Sequence, residues 1–140
     1  TVYGPWGRPD LVIIKLVDAY FKNTKFYLNN YGNHKRDFTY IFDVVDVIDK
    51  LSRINFKKNH NIFNICSSKP IDLKKLLKIF INFEGKPKII SRKFQKGDIL
   101  KSYGSNKKLR SVIKNLKFTS FSRGIYKTIE WYKFNEKINT

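Results

Sequence analysis

Residues 30–46 read NYGNHKRDFTYIFDVVD. Gly32 and Asn33 are a turn signal between two runs rich in aromatic residues. Lys35-Arg36 opens the second run, which has the pattern of a strand until Asp43 starts a helix. This places Arg36 at the mouth of a turn, held by a strand. A guanidinium fixed there can fork onto two phosphate oxygens, which a flexible Lys meets only as a point charge. Arg36 is the first candidate for an anion anchor. Taken alone, the stretch fits a solvated Arg beside a hairpin better than an anion anchor.

The 140 residues, 41% hydrophobic and 16% aromatic, suffice for one modest core and one domain, neither disordered nor fibrous in composition. The chain has no Met and begins inside an apolar, turn-forming stretch, so we expect a piece of a longer product whose start is missing. The longest apolar run, residues 11–17 with Lys15 inside it, is too short and too interrupted to span a bilayer, and no signal-peptide pattern precedes it. The expectation is a soluble, cytoplasmic protein. Cys66 is the single cysteine and forms no internal disulfide, while His34 and His60 are isolated, so no metal site is expected and both His are expected at the surface.

Lys and Arg number 29 against 11 Asp and Glu, a formal charge of +18, which favours anionic partners: nucleic acid, acidic lipid or a phosphorylated small molecule. Lys is scattered over every segment alongside many Asn and Ile and a single Ala, Ala19. That is solvated surface and coding bias rather than the concentrated patch of a nucleic-acid binder.

Along the chain, Pro9 sits at the first turn of a helix running to about Lys22, residues 25–28 form a strand, and 37–41 form the return strand. Asp43 caps a helix whose Val44, Val47, Ile48 and Leu51 face a core, with Val45 on its flank. Residues 57–61 are a polar loop and 62–65 a buried strand. Pro70 and Asp72 begin a helix with Leu73, Leu76, Leu77, Phe80 and Phe83 at helical spacing, which Gly85 ends. A strand over 87–90 follows, then a helix capped by Ser105 and carrying Leu109, Val112 and Ile113. The last helix, 122–134, carries Ile125, Ile129 and Tyr132, and its Gly124 weakens it slightly. Short strands alternating with about five helices make the piece α/β, with too few strands for a complete doubly wound sheet.

TVYGPWGRPD at 1–10, YGNHKRDFTYIFD at 31–43 and GDILKSY at 97–103, supported by NIFNICSSKPIDL at 61–73 and IEWY at 129–132, together resemble the carboxyl-terminal half of extended short-chain dehydrogenase/reductases. Within these, the match is to the NAD-dependent nucleotide-sugar epimerases and dehydratases, in particular the UDP-glucuronate 4-epimerase branch. The resemblance covers essentially the whole chain. It implies that residues 1–140 are a substrate-binding half whose Rossmann cofactor domain lies upstream.

The resemblance also assigns roles. Thr1 and Arg8 match the residues that hold the sugar carboxylate, and a hydroxyl plus a guanidinium fork suits that task. Tyr3 would lie near the nicotinamide of NAD, mostly through its backbone. Arg36 matches the Arg that grips the diphosphate, which agrees with the reading from the residues alone. The strand end at Leu28 and Asn29 matches the segment lining the uracil, and Asp98 matches an acid near the ribose or diphosphate. Gln95 stands where the glucuronate branch carries Gln. Departures are Asn29 for a usual aromatic, Cys66 for a usual Gly, Phe42 for a polar residue, and Gly104-Ser105 for a usual Ala-Asp.

A Gly-rich dinucleotide turn is nowhere in these residues. Tyr31 with Lys35 and Tyr103 with Lys107 have Tyr-x-x-x-Lys spacing, but turn residues break a helix at both, so neither is expected to be the catalytic pair. The reading is a UDP-glucuronate-type 4-epimerase that oxidises C4 transiently with NAD, homodimeric when complete and inactive as this piece alone. The alternatives are a 4,6-dehydratase of the same family, a basic nucleic-acid-binding module, and an inactive remnant.

Overall fold

The computed structural model describes residues 1–80 and 87–138. Its elements are five α-helices and seven short strands in three small sheets, an α/β arrangement. The part that positions Arg36 is the three-stranded sheet. Strand β3 (Lys35–Asp37) lies at its centre, antiparallel to β5 (Pro70–Asp72) and parallel to β7 (Lys101–Ser102), with Arg36 opposite Ile71 and Ser102.

The hairpin expected around Gly32-Asn33 does not form. Strand β2 (Lys25–Leu28) pairs instead with β6 (Lys88–Ser91), in parallel. Between β2 and β3 the chain makes a 3-10 turn over Asn29–Gly32, where Asn30, Tyr31 and Gly32 take φ of 47°, 53° and 76°. Three successive left-handed residues redirect the chain, so β3 leaves β2 and finds partners far along the sequence. The expected return strand is also split: Phe38 separates β3 from β4 (Thr39–Tyr40), and β4 pairs in parallel with β1 (Val2–Tyr3).

Helix α1 (Val12–Phe21) begins three residues after Pro9. Pro9 occupies a turn closed by Leu11 N–H donating to Arg8 C=O, a place that suits its fixed φ. At its other end Asn23 takes a left-handed φ of 51° and Thr24 N–H donates to Ala19 C=O, the geometry that terminates a helix without leaving that carbonyl bare. Helix α1 buries Ile13, Leu16, Val17 and Tyr20 in the main core. The long closing helix α5 (Phe121–Ile138) adds Ile125, Ile129 and Tyr132 to it, as its spacing predicts.

Helix α2 (Ile41–Ser52) is N-capped by Tyr40, not Asp43. Asp43 lies in its first turn and accepts from the Thr119 N–H at 2.8 Å and its hydroxyl at 2.7 Å, tying the helix to the strap before α5. Only Val47 of its expected core face is fully buried; Val44 and Leu51 are half-buried, and Ile48 is 55% exposed. Val47 packs with Leu109, Ile113 and Leu116 in a second, smaller core, so the helix rests on a narrow stripe.

The run 62–65 joins no sheet of the described residues: Phe63 and Ile65 lean on the second core while Ile62 is exposed. Pro70 and Asp72 belong to β5, and Asp72 accepts from Lys74 N–H to cap α3 (Leu73–Phe80). The expected positions of Phe83 and Gly85 lie outside the described residues. Helix α4 (Lys107–Val112) starts after Asn106, with Ser105 one residue further out. Among the described residues no helix is long and apolar enough to cross a membrane.

Candidate functional site

Successive residues of a strand face opposite ways, so Arg36 and Asp37 serve different sides of the three-stranded sheet. Asp37 is buried, and its carboxylate accepts from the Ser67 hydroxyl, from Ser68 N–H at 3.0 Å and from Gly104 N–H at 3.3 Å. Two loops are thereby pinned to one end of β3. Arg36 faces the other side, half-buried, and lines a cavity of ≈ 210 Å³ together with Leu28, Asn29, His34 and Asp98. Among the described residues it pairs with no carboxylate; its guanidinium donates only to the Lys35 carbonyl, at 3.0 Å. A partly desolvated guanidinium whose fork is still free is suited to a bidentate anion.

The walls are polar and prearranged. The Asn29 amide donates to Gln95 at 3.0 Å and to Asp98 at 3.4 Å, so the residue standing where the resemblance expects an aromatic ring is committed to holding the loop over the cavity. That loop turns at Gly97, φ 96°, where an added Cβ would meet nothing within 4 Å. Beside this cavity lies a second groove of ≈ 740 Å³; the two share Lys15, Phe26, Tyr27 and Asn29. In the larger groove the Arg92 guanidinium sits 3.6 Å from the centre of the Tyr27 ring, a cation–π stack. Together the two are a continuous trough along β2.

Four of the expected substrate-binding residues, Leu28, Asn29, Arg36 and Asp98, are thus brought together. Thr1 and Arg8 are not among them. Thr1 lies at β4, its carbonyl accepting from Thr39 N–H, and lines a small apolar crevice with Tyr3. Arg8 forks onto Asp10 through bonds of 3.0 and 2.8 Å, with its side chain 74% exposed. Asp10, not Arg8, lines the Arg36 cavity. The bonds from Arg8 lower the Asp10 pKa below the usual carboxylate value.

Tyr3, expected beside a nicotinamide, has its ring in the core, 4% exposed against Phe38, Tyr40 and Phe121, with its hydroxyl donating to the Phe121 carbonyl. Burial, then the nearby Asp43 and Tyr40, pushes its pKa well above the ordinary tyrosine value. Only its backbone is left to meet a ligand. Neither Tyr31 with Lys35 nor Tyr103 with Lys107 shares a helix.

His34 corrects the expectation of a surface residue: it is 3% exposed. The signal was present in the alternation, since His34 stands two residues before Arg36 and so shares its side. His60 is exposed, as expected.

Residues 1–66 match the family described as the NAD dependent epimerase/dehydratase family. Over 139 residues, 97% of this chain, the sequence is 32% identical to an uncharacterized protein of Methanocaldococcus jannaschii, covering 41% of that protein. A probable UDP-glucuronate 4-epimerase of Rhizobium meliloti is 28% identical over 153 residues, 96% of this chain and 45% of its own length. The chain spans less than half the length of these curated relatives. In fold, it matches the crystal structure of UDP-glucuronic acid 4-epimerase from Bacillus cereus in complex with UDP-glucuronic acid and NAD. The TM-score is 0.84 at 22% identity, over 96% of this chain and 43% of that one. By family match at its amino-terminal end, by curated relatives over nearly all its length and by fold, the chain resembles the NAD dependent epimerase/dehydratase family.

Proposed function

We propose that this chain is the substrate-binding half of an NAD-dependent nucleotide-sugar 4-epimerase of the UDP-glucuronate type. Its cofactor-binding and catalytic half is encoded upstream, and the complete protein is a cytoplasmic homodimer. The observation that carries the reading is Arg36: central in its sheet, half-buried, unpaired with any carboxylate among the described residues, and facing a cavity with Leu28, Asn29 and Asp98. In this role Arg36 grips the diphosphate, Leu28 and Asn29 line the base, and Asp98 meets the ribose. The similarity to the Rhizobium meliloti and Bacillus cereus proteins supports UDP-glucuronate as the ligand and NAD as the cofactor.

The role proposed for Thr1 and Arg8 is the sugar carboxylate, and Arg8 already holds a carboxylate in a two-bond fork. Asp10 would be exchanged for the sugar acid. The test joins this chain to its upstream half and measures turnover of UDP-glucuronate against UDP-glucose. Arg8→Ala is expected to reduce the first selectively; equal losses on both remove the clamp. The 140-residue chain alone is expected to turn over neither, and measurable epimerisation by it would refute the division into halves.

A further inference from the structure

One polar group in the Arg36 cavity has no function in the reading above. His34 is nine-tenths buried and more, and its Nε2 makes no hydrogen bond to any described residue. The nearest carboxylate oxygen, Asp98 Oδ2, lies 3.9 Å away, beyond hydrogen-bond range. A buried imidazole nitrogen left without a partner costs stability, so a partner supplied by a ligand would recover that cost.

The neighbours decide what kind of ligand atom fits. Asp98 and Asp10 both line this cavity, so a phosphate oxygen at His34 would face carboxylate charge, whereas Arg36 offers the phosphate a better place. A hydroxyl suits both sides of the gap: it accepts from Nε2–H and donates to the Asp98 carboxylate. Two bonds of ordinary length from one oxygen span a separation of 3.9 Å. Nε2 is itself shielded from solvent, so the hydroxyl must move the Asp98 carboxylate outward. The Asp98 side chain, about a third exposed and on a loop, can turn at the expense of only the long 3.4 Å bond it accepts from the Asn29 amide.

Building on the nucleotide-sugar reading, we propose that His34 is a specificity-determining residue: with Asp98 it holds one ribose hydroxyl and so selects ribonucleotides over deoxyribonucleotides. Arg36 sets affinity for the diphosphate, and His34 sets which nucleoside is accepted.

The test titrates the 140-residue chain with UDP, 2′-deoxy-UDP and 3′-deoxy-UDP by calorimetry. One of the deoxy analogues is expected to bind about tenfold more weakly than UDP, the size of a hydrogen-bonded pair lost from a site built for it. His34→Met keeps the length of the side chain and removes the donor. It is expected to bind all three alike, while Arg36→Ala weakens all three together. Equal affinity of the wild-type chain for all three nucleotides overturns the role of His34 and leaves the nucleotide site standing. Discrimination retained in His34→Met overturns it too. No binding of UDP to the folded wild-type chain overturns this inference and the nucleotide-sugar reading together. If His34→Met does not fold, the comparison of the three nucleotides on the wild-type chain decides alone.

Discussion

A Cβ added at Gly104 would meet the Cys66 sulfur at 2.8 Å, closer than real contacts allow. The resemblance expects the opposite arrangement, a Gly at 66 and an Ala at 104. Volume has moved from one side of this contact to the other, so two departures that looked independent in the sequence are one packing exchange. Gly104→Ala is therefore expected to destabilise the chain by about 1 to 3 kcal/mol, the range for overpacking, and Cys66→Ala to relieve most of that in the double variant. Denaturant unfolding of the four proteins checks it, and additive losses would show that the contact does not matter. Gly124 is a parallel case: its absent Cβ leaves room for the Tyr3 hydroxyl, into which an added Cβ would run. At Arg36, Arg36→Ala is expected to weaken UDP-glucuronate binding by about 1.5 to 3 kcal/mol, the value of a hydrogen bond to a charged group.

At the level of elements, the Asp43 bonds to Thr119 tie α2 to the strap before α5. Asp43→Ala is expected to cost about 1 to 3 kcal/mol by leaving Thr119 N–H without its acceptor, measured as a lower denaturation midpoint. Strand β1 carries a pH-dependent contribution through Tyr3. Burial holds its folded pKa above the ordinary tyrosine value of about 10. Stability from this group is present below pH 10 and is lost as pH rises further, because the unfolded chain then ionises first. Tyr3→Phe is expected to flatten the fall in stability above pH 10 relative to wild type, seen in thermal unfolding across that range; parallel curves would contradict it.

Local pattern made several elements legible: β2 has the expected limits, and α5 buries the expected Ile125, Ile129 and Tyr132. What the pattern did not reveal was pairing. Strands β2 and β3 follow each other in sequence but join β6, β5 and β7, and a short turn signal carries no information about such distant partners. The candidate site was legible where a motif carried it, at Arg36, which lines the cavity with Leu28, Asn29 and Asp98. His34 was not, because a lone histidine between Asn33 and Lys35 looks solvent-facing until the side taken by Arg36 is known.

For the molecule as a whole, the formal charge of +18 raises the question of a nucleic-acid partner. The trough along β2 presents a few placed groups rather than a uniform basic face: Arg36, proposed as the anion anchor, with Asn29, His34 and Asp98 around it and Arg92 stacked on Tyr27 nearby. A ligand held this way should depend on particular side chains and only moderately on salt, whereas a nucleic acid bound through scattered lysines loses affinity log-linearly and steeply as salt rises. The most direct measurement is an NMR titration of the 140-residue chain with UDP-glucuronate, following the backbone amides and the Arg36 side-chain Nε–H at two salt concentrations. We expect the perturbations to cluster at Leu28, Asn29, His34, Arg36 and Asp98 and to be lost in Arg36→Ala. Unperturbed signals at these five positions, or shifts spread over surface lysines and abolished by salt, would contradict it.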